Sequence, residues 1–159
     1  MHKSVMEFRI PIQALVYCFR TNAEQAEQIE YLMLRRISRL GGFWQGITGA
    51  PVGEETLPMA ALRELREETQ LHPLEFRQVD FCYSFPVDEQ WRLAYHPDVR
   101  MVDEYVFLAR IASDAEPVLS FEHVEFRWAA FDNAMRLLKY ENNRNALAYC
   151  DQCLQSNSR

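Results

Sequence analysis

Residues 49–71 read GAPVGEETLPMAALRELREETQL. The second half of this stretch is written for a helix. Thr56 is a good N-cap, Pro58 falls in the first turn where its missing N–H costs nothing, and Met59-Ala60-Ala61-Leu62 starts a strong helix-forming run. On that helix Glu64, Glu67 and Glu68 stand at i, i+3 and i+4 and so share one narrow stripe. Glu55, just ahead of the helix, can fold back over the same face. Like charges at this spacing cost roughly 0.2–0.5 kcal/mol per pair in water. Folding gains nothing from the stripe, whereas a hard divalent cation such as Mg²⁺ takes oxygen ligands and bridges to phosphate. Taken alone, the charges are better explained by a solvated acidic face balanced by Arg63 and Arg66, as on many surface helices. Two features argue for the metal. A loop with Gly49 and Gly53 leads into the helix, and Arg63, four residues before Glu67, can orient a carboxylate.

Outward from this helix the chain reads as one α/β domain, a mixed sheet with three helices. Residues 10–19 are a buried strand, 21–27 a hairpin loop and 28–37 a second strand. Gly41-Gly42 is a turn, and 43–48 a short apolar piece. Residues 75–87, 101–111 and 122–131 are further strands. Asp132 caps a helix running to about residue 139, and 142–154 form the last helix. The tail 155–159 is expected to fray. The length, 159 residues, suits a single domain with its own core. Hydrophobic residues make up 48% and charged residues 25%, which excludes a disordered or low-complexity chain. No apolar run reaches the ~20 residues of a membrane span, and Glu7 and Arg9 interrupt any leader-like segment. A net charge of −6 argues against a groove for duplex nucleic acid. Cys18 and Cys82 are expected to be buried thiols. Cys150 and Cys153 form a CxxC without the second pair that zinc needs. This usage fits a reducing cytoplasm.

The stretch also resembles the box of the Nudix family, G-x5-E-x7-R-E-U-x-E-E-x-G-U, with U a bulky aliphatic. Gly49, Glu55, Arg63-Glu64, Leu65, Glu67-Glu68 and Leu71 occupy its places. One position departs: Gln70 stands where the family has its second glycine, which points to a different exit from the helix. The resemblance implies a Nudix-type α/β/α sandwich. It also implies hydrolysis of a phosphoric anhydride by water attack at phosphorus. The implied cofactor is Mg²⁺, with Mn²⁺ as a substitute. The implied ligands are the Gly49 carbonyl, Glu55, Glu64, Glu67 and Glu68, and Arg63 would pair with a box carboxylate.

Three outer runs are similar to those of one branch of the family, the bacterial dihydroneopterin triphosphate diphosphatases also described as dATP pyrophosphohydrolases. They are Phe43-Trp44-Gln45 through Thr48-Gly49, Glu122-His123 through Trp128, and Asn143-Arg144 through Leu147. In that branch the Glu of the second run joins the metal site and is a candidate base, which maps to Glu122. Catalytic roles therefore fall to Glu64, Glu122 and Arg63. His123 is expected to pack or to support a neighbour. Glu104 is a second inward acid. Trp44 can stack on a ring, and Arg35 or Arg36 can reach a phosphate. The segment 89–100, with Trp91, Arg92, Tyr95, His96 and Arg100, suits either recognition of a phosphorylated ring or packing as a lid. The expected substrate is a nucleoside triphosphate or the pterin triphosphate, with release of pyrophosphate. Dinucleoside polyphosphates, nucleotide sugars and a non-catalytic ligand sensor are the alternatives, and the chain is expected to be a monomer or homodimer.

Overall fold

The structure is a computed structural model that describes residues 7–22, 24–25 and 28–156. Its centre is β1 (Ile12–Thr21), which is apolar on both sides because helices cover both faces of the sheet. Alternate residues of β1 therefore enter different cores. Leu15, Tyr17 and Phe19 belong to one cluster, and Ala14, Val16 and Cys18 to the other. Antiparallel to β1 runs β2 (Ile29–Arg36), joined to it by the expected hairpin, of which Ala23, Ala26 and Glu27 lie outside the described residues. β3 (Trp44–Gln45) pairs with β2, and β4 (Ile47–Gly49) pairs with β1.

After α1 (Leu57–Thr69) come β5 (Glu75–Pro86), β6 (Met101–Arg110) and β7 (His123–Ala130). Among the described residues the sheet has seven strands in the order β3-β2-β1-β6-β5, with β4 added to β1 and β7 to β2. The β1–β6 pair is parallel and the other described pairs are antiparallel. α1 lies on the face of Val16, Leu32, Leu34 and Phe107, where Ala61 and Leu65 are fully buried. α2 (Phe131–Leu137) and α3 (Glu141–Ser156) cover the other face through Ala134, Ala146, Leu147 and Cys150. The result is the expected α/β/α sandwich with a mixed sheet.

Three expectations need correction. The N-cap of α2 is Ala130, which offers no side-chain bond, and Asp132 sits inside the first turn where its charge suits the helix dipole. Cys82 is exposed because β5 is an edge strand whose even positions from Asp80 to Pro86 face outward. α3 continues through Gln155 and Ser156, while 157–159 lie outside the described residues. The segment 89–100 is partly regular. Glu89–Ala94 form a 3₁₀ turn capped by Asp88, whose side chain accepts from the Gln90 N–H at 3.0 Å. The Arg92 guanidinium closes the segment by donating to the carbonyls of His96 and Val99.

Candidate functional site

α1 begins as the sequence requires: the Thr56 hydroxyl accepts from the Met59 N–H at 3.3 Å. Burial of Leu65 and Ala61 against the sheet turns the opposite stripe outward. There Arg63 gathers three carboxylates. Its Nε and Nη2 donate to the two oxygens of Glu55 at 2.8 and 3.0 Å. Its Nη1 donates to Glu64 Oε1 at 2.9 Å and to Glu67 Oε2 at 3.3 Å, and Nη2 also donates to the Ala50 carbonyl at 3.1 Å. The Arg63 hydrogen bonds hold the Glu55 carboxyl below its usual value, with help from the Val52 N–H. Glu64 is pushed up by burial and by the charges of Glu67 and Glu68, against the pull of Arg63.

Gly49, at the end of β4, faces the Glu64 side chain of this helix. A Cβ added there would lie 2.1 Å from Glu64 Cγ and 2.4 Å from its Cδ. Only glycine lets the strand backbone and the Glu64 carboxylate share this space.

The last turn of α1 carries Glu68, 5% exposed. Its Oε2 accepts from Ser120 Oγ at 3.0 Å and lies 2.8 Å from His123 Nδ1. Burial alone would raise this carboxyl; His123 and Ser120 outweigh it, so the value is lowered. Glu122 lies alongside, and its carboxyl is raised by burial and by the Glu68 charge, while Arg36 and His123 oppose the rise. Two acids thus stand side by side, a setting that a divalent ion relieves.

The donor set consists of carboxylates and a backbone carbonyl, which fits Mg²⁺ or Mn²⁺. As the side chains stand, no three acidic, His or Cys groups among the described residues are gathered around one point. Arg63 draws Glu55, Glu64 and Glu67 to itself, whereas Ser120 and His123 hold Glu68.

The remaining candidates are spread further. Glu104, on β6, is 3% exposed and accepts from the Tyr83 hydroxyl and from Gln13 Nε2. Asn143 Nδ2 donates to the same Tyr83 hydroxyl at 2.9 Å, and Tyr17 donates to the Asn143 carbonyl at 2.7 Å. Burial raises the Glu104 carboxyl despite these donors. Trp44 packs against the core on the α2–α3 side, with the Arg127 guanidinium 4.8 Å from its ring centroid. Arg35 is half exposed and paired with Glu125 at 3.2 Å. Arg36 turns toward the site, its Nε buried without a hydrogen-bond partner and its guanidinium 5.7 Å from the Phe43 ring centroid. The segment 89–100 bonds to the N-terminal end of the fold, where the Arg9 N–H donates to the Ala94 carbonyl at 2.7 Å.

Sequence reasoning missed Ser120, Gln13 and Tyr83. Gln13 carried a signal, a polar residue inside an apolar strand. Ser120 carried none, because its partner Glu68 is distant in sequence. Gln70 also departs from expectation. It caps α1 in the left-handed region, φ 58°, the one non-glycine among the described residues to do so, and its N–H donates to the Arg66 carbonyl at 2.8 Å. The helix exit is therefore the left-handed one a glycine would give.

Comparison with known proteins bears on the family and the fold. The NUDIX domain model matches residues 11–150. The dihydroneopterin triphosphate diphosphatase of Haemophilus influenzae is 33% identical over 66% of this chain and 68% of its own length. The structure of the Escherichia coli dihydroneopterin triphosphate pyrophosphohydrolase is 27% identical and covers 88% of this chain and 94% of that one, with a TM-score of 0.70. A NUDIX-fold structure from Listeria monocytogenes, also 27% identical, covers 93% and 97% with a TM-score of 0.77. With the box acids in place and the match running from the first strand to the last helix, the chain belongs to the NUDIX family and is a Nudix hydrolase.

Proposed function

We propose that the chain releases pyrophosphate from a nucleoside triphosphate or from dihydroneopterin triphosphate, using Mg²⁺ or, in substitution, Mn²⁺. The observation that carries this reading is a run of neighbours from three separate parts of the fold: Gly49 against Glu64, Glu64 beside Glu68, and Glu68 beside Glu122. The choice of substrate leans on the diphosphatase relatives. In this reading Glu64, Glu67, Glu68 and the Gly49 carbonyl hold the ion, and Glu55 supports them. When bound, the ion neutralises the phosphate oxygens and acidifies a coordinated water.

The chain's own residues do the rest. A water oxygen forms the new bond to phosphorus, the bond to the pyrophosphate oxygen breaks, and the water's proton passes to a carboxylate. Glu122 suits that step, because burial and the Glu68 charge raise it toward the working pH, where a general base is most effective. Glu64, also raised, is the second acceptor. Arg63 keeps Glu55 and Glu64 oriented, and Arg36 offers a guanidinium beside Glu122 for a phosphate oxygen. Glu104 is less favoured as a substrate contact because Tyr83 and Gln13 already engage its carboxylate. Arg35 and Trp44 are less favoured because Glu125 and Arg127 already engage them.

A substrate panel with Mg²⁺, in which pyrophosphate and phosphate are detected separately, tests this reading. Pyrophosphate from dihydroneopterin triphosphate or from a deoxynucleoside triphosphate is the expected result. Turnover confined to diadenosine polyphosphates or nucleotide sugars would contradict it.

A further inference from the structure

Glu68 and Glu122 come from different elements, and the segment between Val118 and His123 joins them. The Val118 N–H donates to the Thr69 carbonyl at 2.8 Å and the Ser120 N–H to the Glu68 carbonyl at 3.3 Å, so the segment is zipped onto the last turn of α1. The Glu122 carbonyl accepts from the Ile37 N–H at 2.9 Å, which ties the same segment to the end of β2. At its centre the Ser120 hydroxyl does two things at once. It donates to Glu68 Oε2 at 3.0 Å and accepts from the Glu122 backbone N–H at 3.3 Å. His123 is buried, its Nδ1 is 2.8 Å from that same Oε2, and neither ring nitrogen makes a hydrogen bond of regular geometry among the described residues. Its nearest acidic neighbours are thus Glu68 and Glu122. Both side chains converge on one carboxylate oxygen, Oε2. Carboxylates that bind cations are oriented in this way by neighbours that do not touch the ion.

We infer that Ser120 and His123 are positioning residues. They fix the Glu68 carboxylate, so that a divalent cation finds it already set. This rests on the metal-site reading of Glu68 above, and the experiment separates the two. Mn²⁺ binding to the intact protein is measured by calorimetry without substrate. The Mg²⁺ concentration for half-maximal turnover is measured in parallel. Ser120→Ala and His123→Leu are expected to weaken Mn²⁺ binding by roughly 10–100-fold and to raise the half-maximal Mg²⁺ concentration by a similar factor. Substrate KM at saturating metal should stay at the wild-type value. Ser120→Thr, which keeps the hydroxyl, is expected to restore metal binding; a merely structural role for Ser120 would not produce this split or this rescue. Unchanged Mn²⁺ binding in Ser120→Ala, with Glu68→Gln impaired, would overturn the inference and leave the metal-site reading intact. Unchanged binding in both variants would overturn both.

Discussion

At the scale of single residues, the site depends on a few close approaches. Gly49 admits the Glu64 side chain where a Cβ would stand 2.1 Å from Cγ. Gly49→Ala therefore displaces the carboxylate and should lower turnover on the order of 10²-fold with the fold retained, as read by kcat and circular dichroism. Glu68→Gln removes a buried acid that Ser120 and His123 orient. It should cost at least ~10² in kcat; normal turnover would remove Glu68 from the metal site. Gln70 behaves differently, since it touches none of these groups. Its left-handed conformation costs an L-residue roughly 1–2 kcal/mol, and a glycine offsets part of that relief through a freer unfolded chain. Gln70→Gly should raise stability by up to about 1 kcal/mol and leave activity unchanged, as measured by urea unfolding and initial rates.

At the scale of elements, α1 is the part most fully legible in the sequence. Thr56, Pro58 and the apolar residues at helical spacing gave its start and buried face, and the acids gave its other face. Its end was harder to read. The requirement for a left-handed residue is usually announced by glycine, and here glutamine meets it. β5 was legible as a strand but not as an edge, because pairing order is a long-range property, and Cys82 was misjudged for that reason. α2 was misread at its cap because Asp132 satisfies the composition of an N-cap two residues too late. Leu65 anchors α1 to the sheet and is fully buried. Leu65→Ala should cost about 2–5 kcal/mol in urea unfolding, since a helix packed on a rigid sheet cannot collapse onto the void.

At the scale of the molecule, β1 divides two cores, and the acids of α1 occupy the solvent side of one of them. Within the described residues no helix is long and apolar enough to cross a membrane. The box acids were legible because helical spacing is local. The contacts of Ser120 with Glu68 and of Gln13 and Tyr83 with Glu104 were not, because each joins distant parts of the chain. Glu104 has a consequence for the whole fold. Burial raises its carboxyl above 4.5, so the folded chain holds that proton more tightly than the unfolded chain does. Stability should then fall as pH rises from that ordinary value through the raised one, and stay lower above it. Urea midpoints between pH ~4 and ~8 should show this slope in the wild type and a flatter one in Glu104→Gln; equal slopes would mean that Glu104 carries no such penalty. The most direct test of the account is pyrophosphate release from dihydroneopterin triphosphate and from the deoxynucleoside triphosphates, with Mg²⁺, by the wild-type protein and by Glu68→Gln. The account predicts release by the wild type and a loss of at least ~10²-fold in the variant. Equal release by both, or none by the wild type, would contradict it.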